Sequence, residues 1–79
     1  MEIKVLMPRL GAEMTKGTII EWFKKEGDQV NLGEPLFLVN TSKAEIEVEA
    51  EITGILTRIM VRDADQEVAV GETVAIIDM

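Results

Sequence analysis

The chain has 79 residues, with 8 Lys and Arg against 15 Asp and Glu and neither histidine nor cysteine. That length fits one small domain with a thin core and excludes a two-domain enzyme. The missing residues exclude disulfides, thiolate chemistry, Cys or His metal sites and any Ser-His-Asp or Cys-His catalytic unit, and a formal charge of −7 argues against nucleic acid and anionic lipid as partners.

In chain order, Ile3 to Met7 is a first apolar run, stopped by Pro8, which has no N–H for a ladder. Leu10 to Gly17 reads as a loop whose Leu10 and Met14 tuck it onto the core, Met14 as a plug and not as a ligand. Thr18 to Lys24 is rich in β-branched and aromatic residues and reads as a strand, with Trp22 in or near the core. Glu26-Gly27-Asp28 and Asn31-Leu32-Gly33-Glu34-Pro35 are turn signals, with Gly27 and Gly33 supplying positive φ. Leu36 to Val39 is a short apolar strand. The clearest period of two lies in Ala44 to Ala50: Ala44, Ile46, Val48 and Ala50 face inward and Glu45, Glu47 and Glu49 form a solvated comb. Gly54 opens a run to Val61, Asp63-Ala64-Asp65 and Gly71-Glu72 are turns, and Val74 to Ile77 is a last strand. Residues 18–24 and 55–61 do not alternate cleanly, and no segment carries a helical period.

The two halves repeat. Gly17 falls on Gly54, Glu26 on Asp63, Asp28 on Asp65 and Gln29 on Gln66, at an offset of 37; one inserted residue then sets Val30 on Val68, Gly33 on Gly71, Glu34 on Glu72, Leu36 on Val74 and Val39 on Ile77. Asp28 and Asp65 are expected to cap equivalent turns. Each half reads as strand, Gly/Asp turn, short strand, Gly-Glu turn, strand. Two such units in one core predict an all-β, pseudo-twofold fold with facing sheets. The first half ends at Asn40 and must reverse through Thr41-Ser42-Lys43 into the strand from Ala44, whereas the second ends at Asp78 near the last residue. Lys43 is therefore expected at a hairpin tip, at the opposite end from the paired termini.

A lysine in a turn is ordinarily a solvated residue. The alternative is a covalent attachment point, because an ε-amine forms a stable amide and loses its charge in doing so. Small neighbours, Ser42 and Ala44, and a rigid hairpin permit that role.

The chain resembles the lipoyl domains of 2-oxo acid dehydrogenase complexes along nearly its whole length. The matching stretches include Met7-Pro8-Arg9-Leu10-Gly11, Met14-Thr15-Lys16-Gly17-Thr18-Ile19, Glu21-Trp22, Lys25-Glu26-Gly27-Asp28, Gly33-Glu34-Pro35-Leu36 and Thr41-Ser42-Lys43-Ala44. The resemblance implies a single carrier domain over residues 1–79, a flattened barrel-sandwich of two four-stranded antiparallel sheets, and lipoate on Lys43 flanked by Ser42 and Ala44. It implies a swinging arm, as in a dihydrolipoamide acyltransferase. The arm serves a thiamine-diphosphate-dependent 2-oxo acid decarboxylase, the acyltransferase core and dihydrolipoyl dehydrogenase, and a lipoate-attaching enzyme loads it. The domain is then no enzyme by itself and has no catalytic or metal-binding residues. The family's tripeptide is Asp-Lys-Ala, and this chain has Ser42 in place of Asp and Asn40 where the family usually has an acid. The Ser42 hydroxyl is expected to close the turn more weakly than a carboxylate, which bears on lipoylation and on recognition by the decarboxylase.

A biotinyl domain is the second reading. It resembles a Met-Lys-Met pattern, which Ser42-Lys43-Ala44 lacks, and the long loop from Pro8 to Gly17 is lipoyl-like. An unmodified interaction module of the same shape is the third. No apolar run approaches the roughly 18 residues of a membrane span, and the start has no signal-peptide pattern. The expected location is a bacterial cytoplasm or an organelle matrix, and the acidic surface suits an isolated domain that stays monomeric.

Overall fold

In the computed structural model, which describes residues 1–79, the chain folds into eight strands and no helix. They are β1 (Glu2–Leu6), β2 (Lys16–Trp22), β3 (Gln29–Val30), β4 (Pro35–Asn40), β5 (Glu45–Glu49), β6 (Gly54–Ile59), β7 (Glu67–Ala69) and β8 (Thr73–Asp78). One antiparallel sheet has the order β1-β8-β6-β3 and the other β5-β4-β2-β7. Exchanging each strand with the one four places away converts one order into the other. That is the pseudo-twofold the repeat predicts.

The symmetry extends to single hydrogen bonds. The Met7 N–H donates to Glu72 O and the Ala50 N–H to Glu34 O, both at 2.8 Å; the Gly71 N–H donates to Met7 O and the Gly33 N–H to Ala50 O. Gly33 and Gly71 hold φ of 88° and 94°, a conformation that disfavours side chains with a Cβ. Between the sheets lies an apolar core that includes Val30, Leu36, Phe37, Val39, Leu56, Val68, Val74 and Ile77, with no buried polar side chain. Removing that apolar surface from water is the main driving force available to so small a chain.

Two long strands failed to alternate in the sequence, and the reason is the same in both. The β2–β4 register slips between Ile19 and Glu21, and the β6–β8 register slips between Leu56 and Arg58. A residue added at a β-bulge resets which face the following side chains occupy. Trp22, beyond its bulge, is half-buried against Phe37, with ring centroids 4.9 Å apart, and its Nε1 donates to Val61 O at 2.9 Å. The indole thus ties the end of β2 to the segment leaving β6 and has its one donor satisfied.

Three local expectations need correction. Ala44 is exposed rather than inward, because the chain is still reversing there and β5 begins only at Glu45. The extra residue of the second half enters before Asp63 and not after Gln66. The Asp28 N–H donates to Lys25 O as the Gln66 N–H does to Asp63 O, which sets the turns 38 residues apart. Asp65 is therefore not the mate of Asp28. Asp28 accepts from the Lys25 N–H, whereas in the second turn Asp63 accepts from the Asp65 N–H.

Candidate functional site

The β4–β5 register ends at Asn40 opposite Glu45, which leaves four residues, Thr41 to Ala44, to reverse the chain. The backbone closes with the Thr41 N–H donating to Ala44 O at 2.8 Å. Thr41 does the rest: its Oγ1 accepts from the N–H groups of Lys43 (3.2 Å) and Ala44 (3.1 Å) and donates to Ala44 O (3.1 Å). A threonine hydroxyl is suited to this local turn bonding. Ser42, the residue to which the sequence reading gave the task, makes none of these bonds. The signal for Thr41 was present, since a Thr two residues before the tip is the same kind of turn former.

The Lys43 side chain is 80% exposed and forms one ion pair, with Glu13, its Nζ 3.7 Å from Oε2 and the glutamate 87% exposed. Such a pair is screened by water and contributes little, so the amine is available to an incoming acyl group. Ser42 and Ala44 leave the flanks low, and Glu45 and Glu47 of β5 point to solvent beyond them. A rigid base, a free amine and small neighbours are what an amide-linked arm requires, so Lys43 fits a lipoyl group. No three His, Cys, Asp or Glu side chains gather at a metal-binding distance.

Glu13 belongs to the loop between β1 and β2. The Met14 N–H donates to Gly11 O at 3.1 Å, the Leu10 N–H donates to Met14 Sδ at 3.1 Å, and the Val70 N–H ties Thr15 O to the turn before β8. Leu10 and Met14 are half-buried against the core, as the sequence reading expects. Between this loop and the hairpin tip lies an open cleft of about 790 Å³, with Lys43 on its wall.

Elsewhere two carboxylates staple the fold. Glu26 Oε2 accepts from the Ile59 N–H at 2.8 Å and pairs with Arg62 at 2.7 Å; the backbone hydrogen bond first, and then the guanidinium, hold its pKa below the ordinary glutamate value. Glu34 Oε1 accepts from the Asn31 N–H at 2.7 Å, which lowers its pKa in the same way, with Lys24 at 3.4 Å adding to the effect.

Comparison with known proteins agrees with this geometry. Residues 3–77 match the model of the biotin–lipoyl family, described as biotin-requiring enzyme. The dihydrolipoyllysine-residue acetyltransferase component of the pyruvate dehydrogenase complex of Rickettsia conorii is 46% identical over 77 residues, which are 98% of this chain and 19% of that protein. The chain thus spans about a fifth of the length of that relative. Among solved structures, the lipoyl domain of the 2-oxoglutarate dehydrogenase complex from Azotobacter vinelandii superposes with a TM-score of 0.71 at 29% identity, covering 99% of this chain and 95% of that one. Urea carboxylase from Kluyveromyces lactis contains the same fold over 99% of this chain and 6% of its own, with a TM-score of 0.80 at 20% identity. The chain belongs to the biotin–lipoyl family, and is a lipoyl-type carrier domain within it.

Proposed function

We propose that residues 1–79 form one carrier domain of a dihydrolipoamide acyltransferase, in the first place that of a pyruvate dehydrogenase complex, with lipoate in amide linkage to Nζ of Lys43. The observation that carries this reading is the amine itself: 80% exposed, on a hydrogen-bonded tip, between two small residues. Lipoate, when bound, supplies a disulfide ring able to take up an acyl group and an electron pair. The protein's own residues supply position. Thr41 holds the tip so that the arm swings from a fixed point. Amide formation removes the Lys43 charge and leaves one N–H on Nζ, so Glu13 loses an ion pair but keeps a possible donor. Domain residues hold or move no proton in the chemistry, and the domain is not an enzyme by itself.

The partners of this reading are a thiamine-diphosphate-dependent 2-oxo acid decarboxylase, the acyltransferase core, dihydrolipoyl dehydrogenase and a lipoate-attaching enzyme. The surface offered to them is the tip with the loop from Arg9 to Lys16, because both flank the base of the arm. No helix is long and apolar enough to cross a membrane, and the proposed location is a bacterial cytoplasm or an organelle matrix. The isolated domain is proposed to be a monomer.

Co-expression with a lipoate ligase and lipoate, followed by intact-mass measurement, tests the assignment. One lipoyl adduct is expected, and none in Lys43→Arg. Persistence of the adduct in that variant would refute Lys43 as the site. A biotin adduct formed with a biotin ligase in a parallel sample would favour the biotinyl reading.

A further inference from the structure

The two ends of the molecule would be equivalent if the pseudo-twofold were perfect, and the departure from it is local. Met7 pairs with Ala50 in the symmetry, 43 residues apart, and Gly17 with Gly54, 37 apart. The first half thus carries six more residues (43 − 37) in its β1–β2 connection than the second carries between β5 and β6. Those residues form the loop that faces Lys43 and makes one wall of the cleft. At the other end the connection Ala50 to Thr53 is short, and the hollow lined by Ala50 and Ile52 with Ile3, Val5 and Val48 is smaller, about 310 Å³.

The cleft has the size of sites that take small organic groups, about 300–1,000 Å³. Leu10, Met14 and Ile46, all half-buried, put apolar surface into it, with Ala12 and Ala44 at its mouth. Its charged groups are paired, Lys43 with Glu13 and Lys16 with Glu67 at 3.1 Å. After acylation of Lys43 the remaining unpaired group is the Glu13 carboxylate, which can accept the amide N–H.

We infer that this cleft is a resting seat for the arm on Lys43: between encounters, the hydrocarbon chain lies against Leu10, Met14 and Ile46 with its amide N–H directed to Glu13. The inference rests on the lipoyl reading for the identity of the arm. Three features favour seating. The arm is apolar and gains by leaving water. It is rooted in the cleft wall, so it does not lose the translational freedom that a free ligand would lose. The lysine already leans toward the loop, with Nζ 3.7 Å from Glu13. Methionine is well suited to such a wall, because its flexible thioether adapts to a chain that enters and leaves. A partner enzyme would then have to displace the arm from the loop, which would couple loop recognition to arm delivery.

The test is nuclear Overhauser spectroscopy on two samples whose arms arise independently. The first is the lipoylated domain, with intact mass verifying the adduct. The second uses the absence of cysteine: Lys43→Cys alkylated with an octyl maleimide carries a hydrocarbon arm at the same tip without any ligase. Arm methylene contacts to the Met14 ε-methyl and Ile46 δ-methyl are expected in both, together with loss of the Met14 contact in Ile46→Thr at an unchanged thermal midpoint. Arm resonances coinciding with those of free lipoamide, with no contact to the loop, would overturn the seat. Failure of the first sample to acquire lipoate, with contacts present in the second, would refute the lipoyl reading and support the seat.

Discussion

The two ends of this domain are symmetry mates that differ in side chains and loop length. At one, the Thr41 N–H donates to Ala44 O across a hairpin tip; at the other, the Met79 N–H donates to Met1 O at 2.9 Å across the paired termini. The ladder leading to each is also the same, with Thr18 opposite Asn40 at one end and Ile55 opposite Asp78 at the other. The hairpin end adds a side-chain clamp, Thr41, and a six-residue enlargement of one loop. The terminal end instead has an amine–carboxylate pair, the Met1 amine 2.9 Å from Asp78. One scaffold thus produces two ends, and the chemistry of each comes from a few residues outside the strands.

The largest expected difference between the ends lies where strands cross most closely. A Cβ on Gly54 would stand 2.5 Å from Asp78 O and 2.8 Å from Ile77 Cγ2. On its mate Gly17 it would meet Val39 Cγ1 at 2.9 Å, the flexible Met14 Cε at 3.2 Å and Asn40 O at 3.3 Å. Backbone cannot yield as a methyl group can. Gly54→Ala is expected to cost about 3 kcal/mol and Gly17→Ala about 1 kcal/mol, measured by urea unfolding of each. Equal losses would mean that the two crossings are equally tight, contrary to the geometry.

Thr41→Val keeps the shape of the side chain and removes its hydrogen bonds. It leaves the N–H groups of Lys43 and Ala44 without their acceptor, though both can turn to water at this exposed tip. A loss of about 1 kcal/mol is expected, with faster amide exchange confined to residues 41–44 and rescue by Thr41→Ser. Slower lipoylation should accompany it, because the base of the arm is loosened. Exchange unchanged from the wild type would show that the backbone hydrogen bond suffices, as it does at Met79.

The fold was largely legible in the sequence because it is written twice: the turn glycines and apolar positions of one half vouch for those of the other. What the repeat could not convey was a bulge, which leaves no residue signature and shows only as broken alternation at residues 18–24 and 55–61. Nor could it locate the insertion, since Asp63 and Asp65 serve equally well as turn formers in a string of letters. The place of Lys43 at a hairpin tip was legible from topology, because the first half must reverse there; its reading as an attachment point came from the family resemblance and not from the topology. Its support was read one residue too late, because hydroxyl turn bonding is possible for Thr41 and Ser42 alike and only backbone geometry chooses.

Two symmetry-related glutamates offer a finer comparison. Glu34, in the turn at the terminal end, accepts from the Asn31 N–H at 2.7 Å and has Lys24 nearby; Glu72, at the hairpin end, accepts from the Ala69 N–H at 3.2 Å. The lowered pKa of Glu34 means that its folded form holds the charge to lower pH than the unfolded chain does. Its contribution is therefore fully present above the unfolded glutamate value, about 4.3, and is lost as pH falls through the lower folded value. Glu34→Gln is expected to reduce the midpoint near neutral pH, by more than Glu72→Gln with its longer hydrogen bond does, and to flatten the decline in acid. Parallel thermal scans from neutral pH to pH 3 check this, and a steeper acid decline in Glu34→Gln than in the wild type would contradict it.

The smallest expected effect on stability is at Ser42. Its side chain is exposed and the tip's hydrogen bonds belong to Thr41, so Ser42→Asp removes no bond. The added carboxylate would stand beside Lys43 in water, where a charge pair contributes little. The thermal midpoint should shift by no more than that of an ordinary surface change, about 0.5 kcal/mol in stability. Any larger change in the initial rate of lipoylation then reports how the attaching enzyme reads the tip, because the fold is held constant. A faster rate is expected, since the substitution restores the family's Asp-Lys-Ala tripeptide. A slower rate at an unchanged midpoint would mean that the enzyme loading this domain reads a neutral residue at position 42, and Ser42 would become a specificity residue in its own right.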